Sequence, residues 1–200
     1  MKLQKWIYSI IILFTISCNY NDTTKGIFTP GLIKVDIERM SANDTIYLLS
    51  DNCQIINALV NDNDEWRFEN DITCRAHYPD YGIIFFDGYQ RKGNLYKIYC
   101  NDTWCYILAE NYTKYISWDD FIVNYAFLST HSSNPVRVKP KINAESINLD
   151  YDNVYFLAKQ VENEWLFVDI YYLEQTTPFM QGWLKWRCQD MLLIDINYDL

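Results

Sequence analysis

Histidine is nearly missing from this chain: His77 and His131 are the only two in 200 residues, and neither stands at ligand spacing from a cysteine. No C-x-x-C occurs either, so zinc-type chemistry has no donor set to rest on. A phosphate-cradling loop and a dinucleotide fingerprint are also lacking. Basic residues are few, 17 Lys+Arg against 26 Asp+Glu, which leaves a formal charge of −9. That balance excludes the basic patch by which proteins hold nucleic acid or dock on anionic lipid. Long apolar runs are missing as well, since Trp6 to Ile16 falls short of the about 20 residues that span a bilayer. Nucleophilic catalysis needs a base beside the nucleophile and a third group to orient it; Cys53 has only His77 near it in sequence. The carboxylate pairs Asp119-Asp120 and Asp150, Asp152 read as solvated helix-start and loop residues. The expectation is a chain with no cofactor, no metal and no enzymatic activity.

What the chain has in plenty is rings. Aromatics make 17% of it, with 17 Tyr and 7 Trp interleaved with β-branched residues, a composition that favours strands. Short runs such as Thr45 to Leu49, Gln54 to Val60, Gly82 to Phe86, Asn94 to Cys100 and Trp104 to Leu108 are parted by Asn, Asp and Gly clusters. This pattern predicts antiparallel β structure, with turns at Gln90 to Asn94 and Asn101 to Thr103. The period then changes. Ser117 followed by Asp120 resembles a capping box, and Trp118, Phe121, Ile122 and Tyr125 share one helical face, predicting a helix from Trp118 to Leu128. Pro135 forces Asn134 out of helical geometry. Strand patterns return at Val136 to Val138, Val154 to Ala158, Glu164 to Ile170, Gly182 to Arg187 and Met191 to Ile196.

The N-terminus carries a targeting signal. Lys2 and Lys5 precede the apolar run, which reads as a secretory signal peptide over residues 1–17. Thr15-Ile16-Ser17-Cys18 resembles a bacterial lipobox, with Thr15 where Leu is usual, and the resemblance implies a lipid on Cys18. Acyl chains of that kind hold a protein stably to a membrane. Residues 18–26 are polar and read as a flexible tether. Without the signal, Lys+Arg falls from 17 to 15 and the charge moves to near −11. Cys53, Cys74, Cys100, Cys105 and Cys188 then remain, an odd number in a compartment that permits disulfides. Cys100 and Cys105 bracket a predicted hairpin turn and are either a cross-strand disulfide or two small residues buried side by side.

Asn163-Glu-Trp-Leu-Phe-Val-Asp169, a loop, then Gly182-Trp-Leu-Lys-Trp-Arg187 resembles a bacterial SH3-like barrel, in which a "W-hydrophobic-x-V" strand precedes a "G-W-hydrophobic" strand. Lys92 to Tyr99 followed by Trp104 to Ile107 is similar with weaker spelling, Cys105 standing where Gly is usual. A lipoprotein signal with two such units resembles uncharacterised envelope lipoproteins of Bacteroidetes-type bacteria. Asp22-Thr23-Thr24 and Asp44-Thr45-Ile46 resemble the O-glycosylation motif of those bacteria. The fold expected is mainly β: two tandem SH3-like small antiparallel β-barrels, 27–115 and 131–200, joined by one helix in 116–130. The resemblance implies a cell-envelope protein, anchored to the inner or outer membrane, that binds an envelope protein or a peptidoglycan fragment in an aromatic groove. Tyr171, Tyr172 and Trp186, with Tyr78 and Tyr81, are the candidate groove residues, while Trp165 and Trp183 are assigned to the core beside Phe167, Leu184 and Ile194. A different class stays open: an inhibitor or immunity-type lipoprotein whose acidic surface masks a basic toxin or enzyme.

Overall fold

A computed structural model describes residues 29–198. The signal peptide, Cys18 and the tether lie outside the described residues. In chain order the strands are β1 (Gly31–Val35), β2 (Ile46–Leu49), β3 (Ile55–Asp62), β4 (Glu65–Phe68), β5 (Ala76–Tyr78), β6 (Ile83–Gly88), β7 (Leu95–Cys100), β8 (Thr103–Leu108) and β9 (Thr113–Ser117). A helix, α1 (Trp118–Tyr125), precedes β10 (Phe127–Ser129), β11 (Val154–Glu162), β12 (Trp165–Tyr172), β13 (Met180–Lys185), β14 (Arg187–Cys188), β15 (Met191–Leu192) and β16 (Asp195–Asn197). The protein is mainly β and antiparallel, as its composition predicts.

Turn chemistry sets the hairpins. Asn63-Asp64 between β3 and β4, and Asn101-Asp102 between β7 and β8, all have positive φ, the geometry that two-residue hairpins need and that Asn and Asp tolerate. Gly93, also at positive φ, sits in the turn that Lys92 and Leu95 close. The first sheet runs β4-β3-β2-β8-β7-β6-β1-β9, with β5 also on β6, and the second runs β13-β12-β11-β10-β16. Neither path returns to its first strand, so no closed barrel is found among the described residues.

The first sheet curls around its own core of Ile33, Val35, Leu48, Leu59, Ile84, Phe86, Ile98 and Ile107. Alternate residues of β1 and β6 point the other way. Leu32, Ile83 and Phe85 join α1 and the inner face of the second sheet in a second core. Both faces of β6 are therefore covered, which is why Ile83-Ile84-Phe85-Phe86 reads as an unbroken apolar run. The helix is the wedge between the sheets: Trp118, Phe121 and Ile122 are buried, and Ser117 caps it by accepting from the Asp120 N–H at 3.1 Å.

Three expectations need correction. The span 116–130 is helical only over Trp118–Tyr125; Ile116 and Ser117 belong to β9, and Phe127–Ser129 is a strand paired with both β11 and β16. Val136 to Val138 forms no strand, although Arg137 exchanges backbone hydrogen bonds with Trp183 of β13. In β12, Leu166, Val168 and Ile170 face the core, whereas Trp165, Phe167 and the neighbouring Trp183 face outward. The inner space already holds the rings of Trp118, Phe121, Phe156 and Trp186, leaving room there for aliphatic side chains.

Candidate binding surface

The five candidate groove residues are not brought together. Trp186 is fully buried in the second core, its Nε1–H donating to the Asn163 carbonyl at 3.1 Å, and so it cannot line a groove. Tyr171 is 8% exposed and stacks on Tyr155 with ring centroids 4.9 Å apart, on the outer face of the second sheet. Tyr172, next in the chain, is 43% exposed and stacks on Phe179 at 4.1 Å. Beside this pair, Pro178 to Gln181 line a hollow of about 290 Å³. Tyr78, the last residue of β5, precedes a short 3₁₀ turn (Pro79–Tyr81) that Tyr81 ends, and both are exposed there, Tyr81 at 76%.

The structure assembles a different set of rings. Strand alternation turns Tyr96, Ile98 and Cys100 of β7, and Cys105 and Ile107 of β8, toward the first core. Leu95, Lys97 and Tyr99, with Trp104, Tyr106 and Leu108, are left on the outer face. Register pairs Tyr99 with Trp104 and Lys97 with Tyr106, and places Leu49 of β2 beside Tyr106. The Trp104 ring lies 5.2 Å from Tyr99 and 5.4 Å from Tyr89, which follows β6, and the Lys97 ammonium sits over it at 4.8 Å. That last contact is a cation–π arrangement. Tyr89, Gln90, Lys92, Leu95, Lys97 and Tyr106 line a concavity of about 440 Å³. Its size falls in the usual range for small-ligand sites, about 300–1,000 Å³. Burial, and then the Asp51 carboxylate, push the Tyr106 hydroxyl above the ordinary tyrosine range, so it stays a protonated donor.

Sequence reasoning missed this surface because both alternates of β7 and β8 are apolar or aromatic. Lys97 is the one charged residue in either strand, and it marks the outer face.

Elsewhere several polar groups are tied into the fold, while the buried His77 Nε2 has no hydrogen-bond partner among the described residues. Asp87 is buried and receives the Arg75 guanidinium through Nε at 2.8 Å and through a second nitrogen at 2.7 Å. Burial raises the Asp87 pKa, against the opposing pull of Arg75 and Thr29. Arg75 in turn lies over the Trp118 ring at 5.5 Å, linking the first sheet to α1. His77 packs edge-on against Phe68, and burial lowers its pKa. Cys53 sits exposed in the turn after β2. Asp120 accepts from the Ser117 hydroxyl, and Asp150 accepts from the Asn153 amide. Among the described residues, no group of three or more His, Cys, Asp or Glu side chains could hold a metal ion. The Cys100 and Cys105 sulfurs lie 3.0 Å apart inside the first core.

No family model matches this chain, and no curated protein matches it either.

Proposed function

We propose that the chain is a non-enzymatic lipoprotein of the cell envelope, anchored through Cys18 to the inner or outer membrane, that binds an envelope protein or cell-wall ligand on the outer face of β7 and β8. One observation carries this reading. Trp104 packs against the rings of Tyr99 and Tyr89, and Tyr89 passes directly into a concavity that Tyr106, Lys92 and Lys97 also line. Rings of this kind offer large contact area at little rotamer cost. The SH3-like reading of the second unit is supported by register: Phe167 pairs with Trp183 and Val168 with Gly182, so the two motif strands are neighbours.

The test is capture from envelope extract by the full chain and by Trp104→Ala. Loss of capture in a variant that keeps its circular dichroism spectrum supports the surface; equal capture refutes it. The acidic-mask reading draws support from the −9 charge. It predicts affinity that falls steeply with salt, whereas ring contacts keep theirs. For the anchor, Cys18→Ala should leave the detergent phase, and fatty-acid label still entering that variant would refute the lipid assignment.

A further inference from the structure

We propose that Cys100 and Cys105 are a disulfide-forming pair and that theirs is the bond this chain makes when exposed to a disulfide donor. The sulfurs are 3.0 Å apart, inside the about 3.5–4.0 Å at which even carbon atoms rest in contact. Backbone register explains the approach. Cys100 pairs with Thr103 and Ile98 with Cys105, so the two cysteines lie on one face of the β7–β8 hairpin, one step apart on the diagonal. Twisted strands bring one diagonal of such a pair close together. Local sequence sets the hairpin itself, through Asn101 and Asp102 at φ 47° and 56°. Hairpins form in about 1–10 μs, so the thiols meet before the core closes over them.

The chemistry balances as an exchange. The Cys100 thiolate attacks one sulfur of a donor disulfide, either a small-molecule disulfide or a dithiol oxidoreductase, and one donor thiol leaves. The Cys105 thiolate then attacks the mixed disulfide at Cys100 and releases the second donor thiol. The two cysteines lose two protons and two electrons, which the donor's two sulfurs gain.

Cys74 is the natural competitor, held against the hairpin turn because the Asn101 N–H donates to the Thr73 carbonyl at 2.9 Å. Its Sγ–H instead donates to the Ala76 carbonyl at 3.3 Å, and burial pushes its pKa up to about 12, so it stays a thiol. The hairpin that carries the cysteine pair inward carries Tyr99 and Trp104 outward, so the bond would pin the two strands beneath the ring surface. The pairing rests on this geometry; only the presence of an oxidant in the cell rests on the envelope reading above.

Refolding the reduced full chain in mixed reduced and oxidised glutathione tests the pairing directly. After acid quench and alkylation, chymotrypsin cuts between the two cysteines at Trp104. The expected product is a peptide pair joined through Cys100 and Cys105, lighter by two hydrogens and separated by reductant, with Cys74 alkylated. Cys74→Ser should leave that product unchanged. Full alkylation of Cys100 and Cys105 in the refolded wild type, or a link from Cys100 to Cys74, overturns the proposal. Either result leaves the binding surface to stand or fall on Trp104→Ala.

Discussion

Phe121 is the residue on which the joining of the two sheets can be tested. It is fully buried on α1, and its ring lies 5.2 Å from Phe85 of the first sheet, 5.8 Å from Trp118, and 5.8 Å from Tyr198, which follows β16. A buried phenylalanine removes about 150–250 Å² from water. At about 25 cal/mol per Å² that is roughly 4–6 kcal/mol of transfer free energy, an upper figure because the unfolded chain is partly collapsed. Truncations of this kind cost about 3–5 kcal/mol. Phe121→Ala should therefore lose about 3–5 kcal/mol, read as a lower urea midpoint with the slope unchanged. Because the ring touches both halves, circular dichroism and tryptophan fluorescence should report a single transition. A loss under about 0.5 kcal/mol would refute the packing argument, since surface changes fall within that range. Two resolved wild-type transitions would refute the shared core.

How much of this was legible depended on whether the deciding partner was local. Asn101-Asp102 and the Ser117–Asp120 cap were readable because a turn and a helix start are written in adjacent residues. The helix end was not: Phe127–Ser129 leaves the helical pattern to pair with residues 156 and 195–197, partners that no local window contains. The same limit explains β12. Alternation fixed that Trp165 and Phe167 share one face and Leu166 and Val168 the other, yet which face turns inward was decided by the rings that α1 and Phe156 had already placed there. Trp186 and Trp104 look alike in sequence, each at a strand edge. One fills the second core and the other carries the candidate surface, and only the fold separates them. Lys97 was the local clue to the outer face of β7, visible once the strand's two faces are written out separately.

Three further outcomes follow from the packing and the charges. Gly182 lies mid-strand, where an added Cβ would meet Val136 at 2.5 Å and Ile147 at 2.8 Å, so Gly182→Ala should cost about 1–3 kcal/mol by urea unfolding. An unchanged midpoint would mean that the Val136 segment yields freely. Burial raises Cys74 from 9.0 to about 12, so its contribution to stability is intact below pH 9 and is lost as pH rises toward 12. Cys74→Ala should flatten that alkaline decline, and an identical decline would assign it to other groups. The buried pair of Arg75 and Asp87 gives the sharpest contrast. Arg75→Met leaves the Asp87 carboxylate buried with Thr29 at 3.4 Å beside it, and removing one partner of such a pair costs about 3–5 kcal/mol. Adding Asp87→Leu should recover most of the loss, because an apolar pair of similar volume avoids the desolvation that the ions suffer. Burial already raises the Asp87 pKa, and without the guanidinium it must rise further, so the folded single variant takes up a proton more readily than its unfolded chain. The deficit of Arg75→Met should therefore shrink as pH falls from about 7 to about 5. A deficit that stays constant over that range, or a double variant no better than the single one, would show that Arg75 acts through its contact with Trp118 and not through the charge of Asp87.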